Sequence, residues 1–392
     1  MNNINNKNMK VPEGWKVELL DKICKLSYGK NLPTEKFIDD GKYPVYGANG
    51  LIGFYVDYTH KDEVVLVSCR GEYSGVINLS QPFSFITNNS ITLEIKNNNE
   101  IFTRFLLYRI KIIPKQTFVS GSAQPQVVIN DLKRLIITIP KDFNEQQKIA
   151  EILETVDRAI EKTDKIFEKY KRIKQGLMQD LLTKGIDENG QIRNEKTHKF
   201  KNSPLGRIPE EWEVVRLGEV ITLEYGKGLP ETKRIYGEYP VHGSNGIVGF
   251  HNKFLVKGPG IIVGRKGSMG AISWCKTHFW PIDTTYFVTL KTPTISKEWL
   301  YIKLISLDLT RLSLSDIVPG LNRKLVYLLQ IPLPPLPEQQ RIAEILSQID
   351  NTIEKEEAYK QKLERIKKGL MEDLLTGRVR VNHLIKEGKN EK

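Results

Sequence analysis

The 392-residue chain has only three cysteines, Cys24, Cys69 and Cys275, and no Cys-x-x-Cys pair. An odd number at wide spacing argues against a disulfide framework and against a zinc knuckle, and leaves three buried small hydrophobes as the expectation. Long apolar runs are also missing: nothing approaches the ~18 consecutive apolar residues of a membrane span. The N-terminal MNNINNKNMK has no apolar core of a secretory signal. A cytoplasmic protein without a membrane partner is expected.

The signatures of catalysis are absent too. There is no Walker A loop, no HExxH, no GxSxG and no HxE with CxxC. The Asn-Pro-Pro-aromatic signature of adenine methyltransferases is missing, and no nuclease-like Pro-Asp…Glu-x-Lys arrangement is convincing. GANGLIG at Gly47 and GSNGIVG at Gly243 have the spacing GxxGxxG, not the GxGxxG of a dinucleotide loop, and no helical pattern follows them, so they read as hairpin turns. His242, His251, Cys275 and His278 invite a metal reading. Their counterparts in the first half are Tyr46, Tyr55 and no Cys or His, so ordinary core or surface residues are expected, with no metal, no cofactor and no catalytic residue in this chain.

What the chain does have is positive charge. Lys+Arg 59 against Asp+Glu 47 gives +12, a balance that favours a polyanionic partner. It also has an internal repeat, which decides the architecture. Pro12, Trp15, Tyr28-Gly29-Lys30 and Leu32-Pro33 recur as Pro209, Trp212, Tyr225-Gly226-Lys227 and Leu229-Pro230, and Tyr43-Pro44 with Gly47–Phe54 recurs as Tyr239-Pro240 with Gly243–Phe250. Residues 145–183 match 338–376 at 23 of 39 positions.

Each half has two parts. Residues 12 to about 143 and 209 to about 336 are rich in Gly, Pro, Tyr and β-branched residues, with short apolar runs that read as strands. Asn49-Gly50 and Asn245-Gly246 predict type I′ hairpin turns, whose two central residues both need positive φ. The second part is a long helix. Ile149, Leu153, Val156, Ile160, Thr163, Phe167, Tyr170, Ile173, Leu177 and Leu181 step mostly by four and three, as do Ile342, Leu346, Ile349, Ile353, Leu363, Ile366, Leu370 and Leu374. That spacing predicts a coiled-coil seam, each helix covering the other's stripe. At 1.5 Å per residue each rod is about 57 Å long. Glu145-Gln146-Gln147 and Glu338-Gln339-Gln340 are explained by capping and the helix dipole, with Asn144 and Gln147 as a capping box; a part in partner docking is the other reading. Gly176 and Gly369 inside the helices predict a close helix crossing. The excess charge lies in the strand-rich parts, +4 in residues 1–144 and +5 in 205–337, while the helices are nearly neutral.

The expected fold is therefore α+β: two mixed, strand-rich α/β domains separated by two long helices packed as an antiparallel coiled coil, in a pseudo-twofold internal repeat. The expected boundaries are 1–144 for the first domain, 145–185 for the central spacer helix and 186–204 for a polar linker. The second domain takes 205–337, the C-terminal spacer helix 338–376 and a polar tail 377–392.

A Pro-x-x-Trp start, a Tyr-Pro-x-x-Gly-x-Asn-Gly hairpin, an Arg/Lys-Gly loop, Ile331-Pro332-Leu333-Pro334-Pro335-Leu336-Pro337-Glu338-Gln339-Gln340 and an Ile-Ala-Glu-Ile-Leu helix, in this order and duplicated, resemble the specificity subunit of Type I restriction-modification systems. The resemblance spans residues 12 to about 380. The first half departs from it at Lys141-Asp142-Phe143-Asn144, where the proline run is missing. It implies a non-catalytic subunit whose two target recognition domains each read one half of a bipartite sequence in double-stranded DNA. The helices would set the gap and dock two methyltransferase (modification) subunits, through which restriction (motor and nuclease) subunits join. Adenine N6-methylation with S-adenosylmethionine, and ATP- and Mg-dependent cleavage, would belong to those partners. The strand-rich parts differ outside the shared framework, so two dissimilar half-sites are expected. The rod length limits their centre-to-centre separation to roughly 17 base pairs. The alternative is a free-standing DNA-binding or scaffold protein that acts without enzyme partners; an enzyme in its own right is a third reading.

The candidate DNA-binding residues follow from side-chain chemistry. Arg70 before Gly71, and Arg265 and Lys266 before Gly267, suit a bidentate grip on guanine or a phosphate clamp; a structurally paired arginine in a fold turn is the competing reading. Lys30 and Lys227 suit phosphate contacts. Ser122, Gln124 and Gln126, with Asn322 and Arg323, are loop polars before the last strand, and their amides suit adenine N6/N7 as readily as an exposed turn.

Overall fold

The computed structural model describes residues 11–121, 123–312 and 320–387. The chain divides into two compact units, Met1–Asp164 with Ala358–Lys392, and Lys165–Glu357. Both are built on the same plan.

In the first unit a four-stranded antiparallel sheet runs in the order Cys24–Tyr28, Ser90–Ile95, Val65–Ser68, Ile77–Leu79. A three-stranded sheet places Tyr43–Gly47 between antiparallel Gly50–Tyr55 and parallel Phe85–Ile86. Trp15–Leu19 pairs with Ile136–Pro140 and so joins the two ends of the domain. The second unit repeats each element. Its larger sheet runs Ile221–Tyr225, Thr285–Leu290, Gly260–Gly264, Ile272–Cys275. Tyr239–Gly243 lies between Gly246–His251 and Trp280–Pro281, and Glu213–Arg216 pairs with Gln330–Leu333. One addition precedes it, a hairpin of Phe200–Ser203, at the end of the stretch expected to be a polar connection, and Gly206–Pro209, at the start of the expected second domain.

The central apolar runs are buried on both faces, which is why they lack a polar alternation. Val65 and Val67 point into the main core with Phe105 and Ile110 of the helix Thr103–Lys111, whereas Leu66 between them packs with Tyr46 and Ile86 of the smaller sheet. Ile261 and Val263 likewise face Trp299 and Leu300, and Ile262 faces Cys275 and Phe279. All three cysteines are buried and free, as the spacing predicts. Among the described residues no group of His, Cys, Asp and Glu is placed to hold a metal ion, and no helix is long and apolar enough to cross a membrane.

The hairpins form, but with a different turn. Gly47 pairs with Gly50 and Gly243 with Gly246, and only Gly50 (φ 85°) and Gly246 (φ 106°) have positive φ at these turns. The loop is therefore Ala48-Asn49 or Ser244-Asn245 followed by a left-handed glycine, the three-residue hairpin rather than the type I′ turn. Asparagine there is spared the strained conformation, which glycine adopts without a steric cost.

Two long helices, Phe143–Leu181 and Leu336–Leu375, contribute to both units. In the first unit Asp157 pairs with Lys367 and Asp164 with Lys360, so the two helix segments run antiparallel. Ile149, Ala150 and Leu153 join Leu370, Met371, Leu374 and Leu375 in the same core as the strands of the larger sheet. In the second unit Leu177, Met178, Leu181 and Leu182 meet Ile342, Ala343 and Leu346, and Lys174 pairs with Asp350. The expected stripe thus packs at both ends, except that Ile173 and Ile366, the same position in the two copies, are 38% and 42% exposed. Gly176 and Gly369 do not mark a close crossing either: a Cβ at either would meet nothing within 4 Å.

The head of each helix is a buried joint rather than only a cap. Asp142 takes the capping role expected of Asn144 and Gln147, accepting from the Asn144 amide at 2.9 Å. The Gln146 carboxamide donates to the carbonyls of Glu100 (2.8 Å) and Pro140 (3.0 Å) and accepts from the Phe102 amide (2.9 Å). Gln339 makes the same three bonds to Thr294, Pro334 and Ser296, at 3.0, 2.8 and 2.9 Å. Glu145 accepts from Arg380 at 2.6 and 2.8 Å. Glu338 accepts from Trp212 Nε1 (3.0 Å), the Ile186 amide (2.8 Å) and Arg193 Nη2 (3.2 Å). Gly185 (φ 63°) closes this joint, where a Cβ would lie 2.0 Å from Glu338 Oε1 and 2.4 Å from the Trp212 ring.

One buried charge is less well served. Arg109 donates through Nε to the Thr138 carbonyl and through Nη2 to its hydroxyl, both at 3.1 Å. At the equivalent helix position in the second unit Lys303 is 7% exposed, the strand there carries Pro332 where the first has Thr138, and burial pushes the Lys303 ammonium down to about 8. Because the folded value lies below the ordinary 10.5, charged Lys303 costs stability fully below pH 8, and the cost fades as pH rises from 8 to 10.5. Lys303→Met should raise the thermal midpoint at pH 7, by up to about 3 kcal/mol of stability, and the advantage should vanish above pH 10.5; an equal gain at both pH values would contradict the assignment. Gly185→Ala should lower the midpoint by more than about 1 kcal/mol equivalent, and an unchanged midpoint would show that the joint is looser than described.

Candidate nucleic-acid interface

The candidate residues gather where the central strand of each larger sheet ends. In the second unit Arg265 follows Gly260–Gly264 directly, and its amide and that of Lys266 donate to the Thr284 carbonyl at 2.9 and 3.0 Å. The Lys227 amide bonds to the Pro281 carbonyl at 2.9 Å, so the turn around Ile282–Thr284 lies between Lys227 and Arg265. Leu321 donates to the Arg265 carbonyl at 2.8 Å, which brings in Asn322 and Arg323. The hairpin tip touches the same loop: Ser268 Oγ lies 3.5 Å from Asn245 Oδ1, and a Cβ on Gly267 would stand 3.2 Å from Ser244 Oγ. Gly267 has φ 74°, a conformation that favours glycine.

The first unit builds the same place. Cys69 donates to the Asn89 carbonyl and accepts from the Val127 amide, the bonds made by Arg265 in the second unit. The structural counterpart of Arg265 is therefore Cys69, and Arg70 corresponds to Lys266, each directly before its glycine. Arg70 is exposed, followed by Gly71 (φ 73°), and bridges Gln126, which itself pairs with Ser120. Gln124 is exposed in the same loop, and Ser74 Oγ donates to the Pro125 carbonyl at 2.6 Å, tying that loop to the turn after Arg70. Lys30 is exposed, and its amide bonds to the Ile86 carbonyl. Ser122 lies outside the described residues.

The structure also gives some of these side chains work of their own. Asn322 caps the helix Arg323–Leu328, accepting from the Lys324 amide at 2.9 Å, so its carboxamide oxygen is engaged. Arg323 donates through Nη1 to the Leu223 carbonyl (3.1 Å) and Arg265 through Nη1 to the Asp283 carbonyl (2.9 Å). Both guanidinium groups lie over the ring of Tyr225, at 4.8 and 4.9 Å from its centroid. Each keeps free N–H donors, as a guanidinium has five. Lys227 and Lys266 are exposed. Tyr225 was not among the expected residues, although it belongs to the repeated Tyr-Gly-Lys; its neighbours are distant in sequence. His242, buried between the sheets with neither ring nitrogen bonded, has its protonation disfavoured by burial, and His251 and His278 use Nδ1 to accept backbone amides at 3.0 and 3.1 Å.

A duplicated domain with a basic face at the end of its central strand and a helix at its end defines the class: the model of the Type I restriction modification DNA specificity domain matches residues 12–168 and 209–365. The chain belongs to this family. It is 29% identical to the Type I restriction enzyme MjaVIII specificity subunit of Methanocaldococcus jannaschii, over 96% of this chain and 95% of that one. It is 25% identical to the putative type I specificity subunit S.MpnORF638P of Mycoplasma pneumoniae, over 88% and 92%. The crystal structure of a Type-I restriction-modification system S subunit from M. genitalium shares the fold, with a TM-score of 0.72, 20% identity, and 95% and 98% of the two chains covered.

Proposed function

We propose that this chain is the DNA sequence-specificity subunit of a Type I restriction-modification complex, in which each unit reads one half of an asymmetric, bipartite target. The family match over both halves carries this reading. The paired basic loops support it: Arg70, Gln124, Gln126 and Lys30 share one face in the first unit, and Arg265, Lys266, Lys227 and Arg323 share the equivalent face in the second. Arg70 and Arg265 are the base-reading candidates, Lys30, Lys227 and Lys266 the phosphate contacts that fix register. Because corresponding positions carry different side chains on one backbone plan, the two half-sites differ.

The long helices have two tasks in this reading. Their length sets the unread gap, and their exposed faces receive two modification subunits. Ile173 with Gly176 and Ile366 with Gly369 repeat an exposed apolar residue one turn from an exposed glycine. Each glycine costs a helix about 1 kcal/mol relative to alanine, and no packing within the described residues accounts for it. A partner helix lying close against that face does. Methyl transfer to adenine with S-adenosylmethionine and ATP-driven cleavage with Mg belong to the modification and restriction subunits, since this chain carries none of their motifs.

Inserting four residues after Phe167 should lengthen the gap in the methylated sequence and leave both half-sites unchanged; an unaltered gap would refute the spacer role. Arg265→Ala should lose specific binding by about 1–3 kcal/mol with little change in salt-sensitive nonspecific binding, and equal losses would make it a phosphate contact. Ile173→Lys should leave the unfolding midpoint in place and weaken co-purification with the modification subunit, whereas undiminished assembly would assign that face no partner.

A further inference from the structure

The two units differ most sharply at one place on the shared face. Tyr225 and Tyr28 end the first strand of the larger sheet in their units and are similarly exposed, 49% and 45%. Around Tyr225 stand Arg265 and Arg323, with guanidinium carbons 4.9 and 4.8 Å from the ring centroid, and Tyr286 opposite it in the ladder, centroids 5.1 Å apart. Tyr286 is buried, and its hydroxyl donates to the Leu321 carbonyl at 3.1 Å, which holds the start of the Arg323 helix against the sheet. Around Tyr28 the same backbone bonds place Cys69 for Arg265 and Ile129 for Arg323, and the ladder places Ile91 for Tyr286. No positive charge stacks on Tyr28 among the described residues.

We propose that Tyr225 is a specificity-positioning residue: it holds the guanidinium groups of Arg265 and Arg323 together at the surface, and this pair makes the half-site read by the second unit depend on a G·C pair. An unrestrained arginine loses side-chain freedom when it binds. One stacked on a ring and tethered by a backbone carbonyl has already lost it, and still offers paired N–H donors to guanine O6 and N7. Two tethered guanidinium groups on one ring are fixed relative to one another as well, so they discriminate by geometry and not by charge alone. The first unit, with Cys69 and Ile129 at these positions, does not read its half-site in this way. The inference rests on the reading of each unit as a half-site reader.

The test is methylation-motif sequencing with the complete complex, this chain with its modification subunits, for wild type, Tyr225→Phe, Tyr225→Leu and Arg265→Cys, the last installing the residue that the first unit carries. Tyr225→Phe keeps the ring and should keep the motif. Tyr225→Leu and Arg265→Cys should each relax a guanine position in one half-site, with preference for guanine over other bases falling roughly tenfold or more. The other half-site should stay sharp, an internal control for folding and assembly. A wild-type motif whose Arg265-dependent half has no G·C pair, a Tyr225→Leu motif identical to wild type, or a uniform fall in methylation with both half-sites intact would overturn the proposal; if Tyr225→Leu fails to assemble, Arg265→Cys and Tyr225→Phe decide it by the same criteria. A wild-type complex without any bipartite motif would instead defeat the half-site reading itself.

Discussion

A buried carboxylate at the head of each long helix is the interaction on which the architecture depends. Glu338 satisfies an indole, a backbone amide and a guanidinium from two separate stretches of the second unit, and Glu145 takes the guanidinium of Arg380 in the first. Leaving such a carboxylate without its partners inside protein would cost several kcal/mol. The joint therefore forms with its full set of donors or is strongly disfavoured. The neighbouring glutamines repeat the logic with neutral groups, each amide spanning two carbonyls and an amide of the adjoining domain. Helix and recognition strands become one core in each unit, and the orientation of a helix head against its domain is fixed by hydrogen bonds rather than by apolar packing alone.

That constraint separates what is held constant from what is free to vary. The strand pairing, the left-handed glycine of the hairpin, the glutamine bonds at the helix head and the backbone bonds at the end of the central strand are the same in both units. The side chains at these positions are not: the buried Cys69 stands where Arg265 does, the partly buried Ile129 where Arg323 does, and Arg70 where Lys266 does. A scaffold fixed by buried polar joints keeps one backbone plan at this place while its side chains change. The same division explains the charge, with the excess in the domains and neutral helices suited to protein contacts.

Much of this was legible in the sequence. The duplication, the long helices and the apolar runs of the central strands depend on short-range pattern, which the sequence carries by itself. The failures share a physical cause. Glu145 and Glu338 look like helix caps because capping is local, while their real partners lie far away in the chain, Arg380 and Trp212 among them. That Cys69 stands where Arg265 does is set by hydrogen bonds to Asn89 and Thr284, which side-chain likeness does not show. Ile173 and Ile366 fit the seam by spacing but face outward, and Gly176 and Gly369 meet nothing, because periodicity cannot distinguish a stripe covered within the chain from one left for a partner. Tyr225 has no local signal beyond a motif shared with Tyr28. Its neighbours arrive only through the sheet.

The most direct test of the account is the base sequence methylated by the wild-type chain together with its modification subunits. Two unequal half-sites separated by an unread gap are predicted. A continuous motif, or a palindromic one with identical halves, would contradict the central claim that two units of one plan and different faces each read their own part of the target.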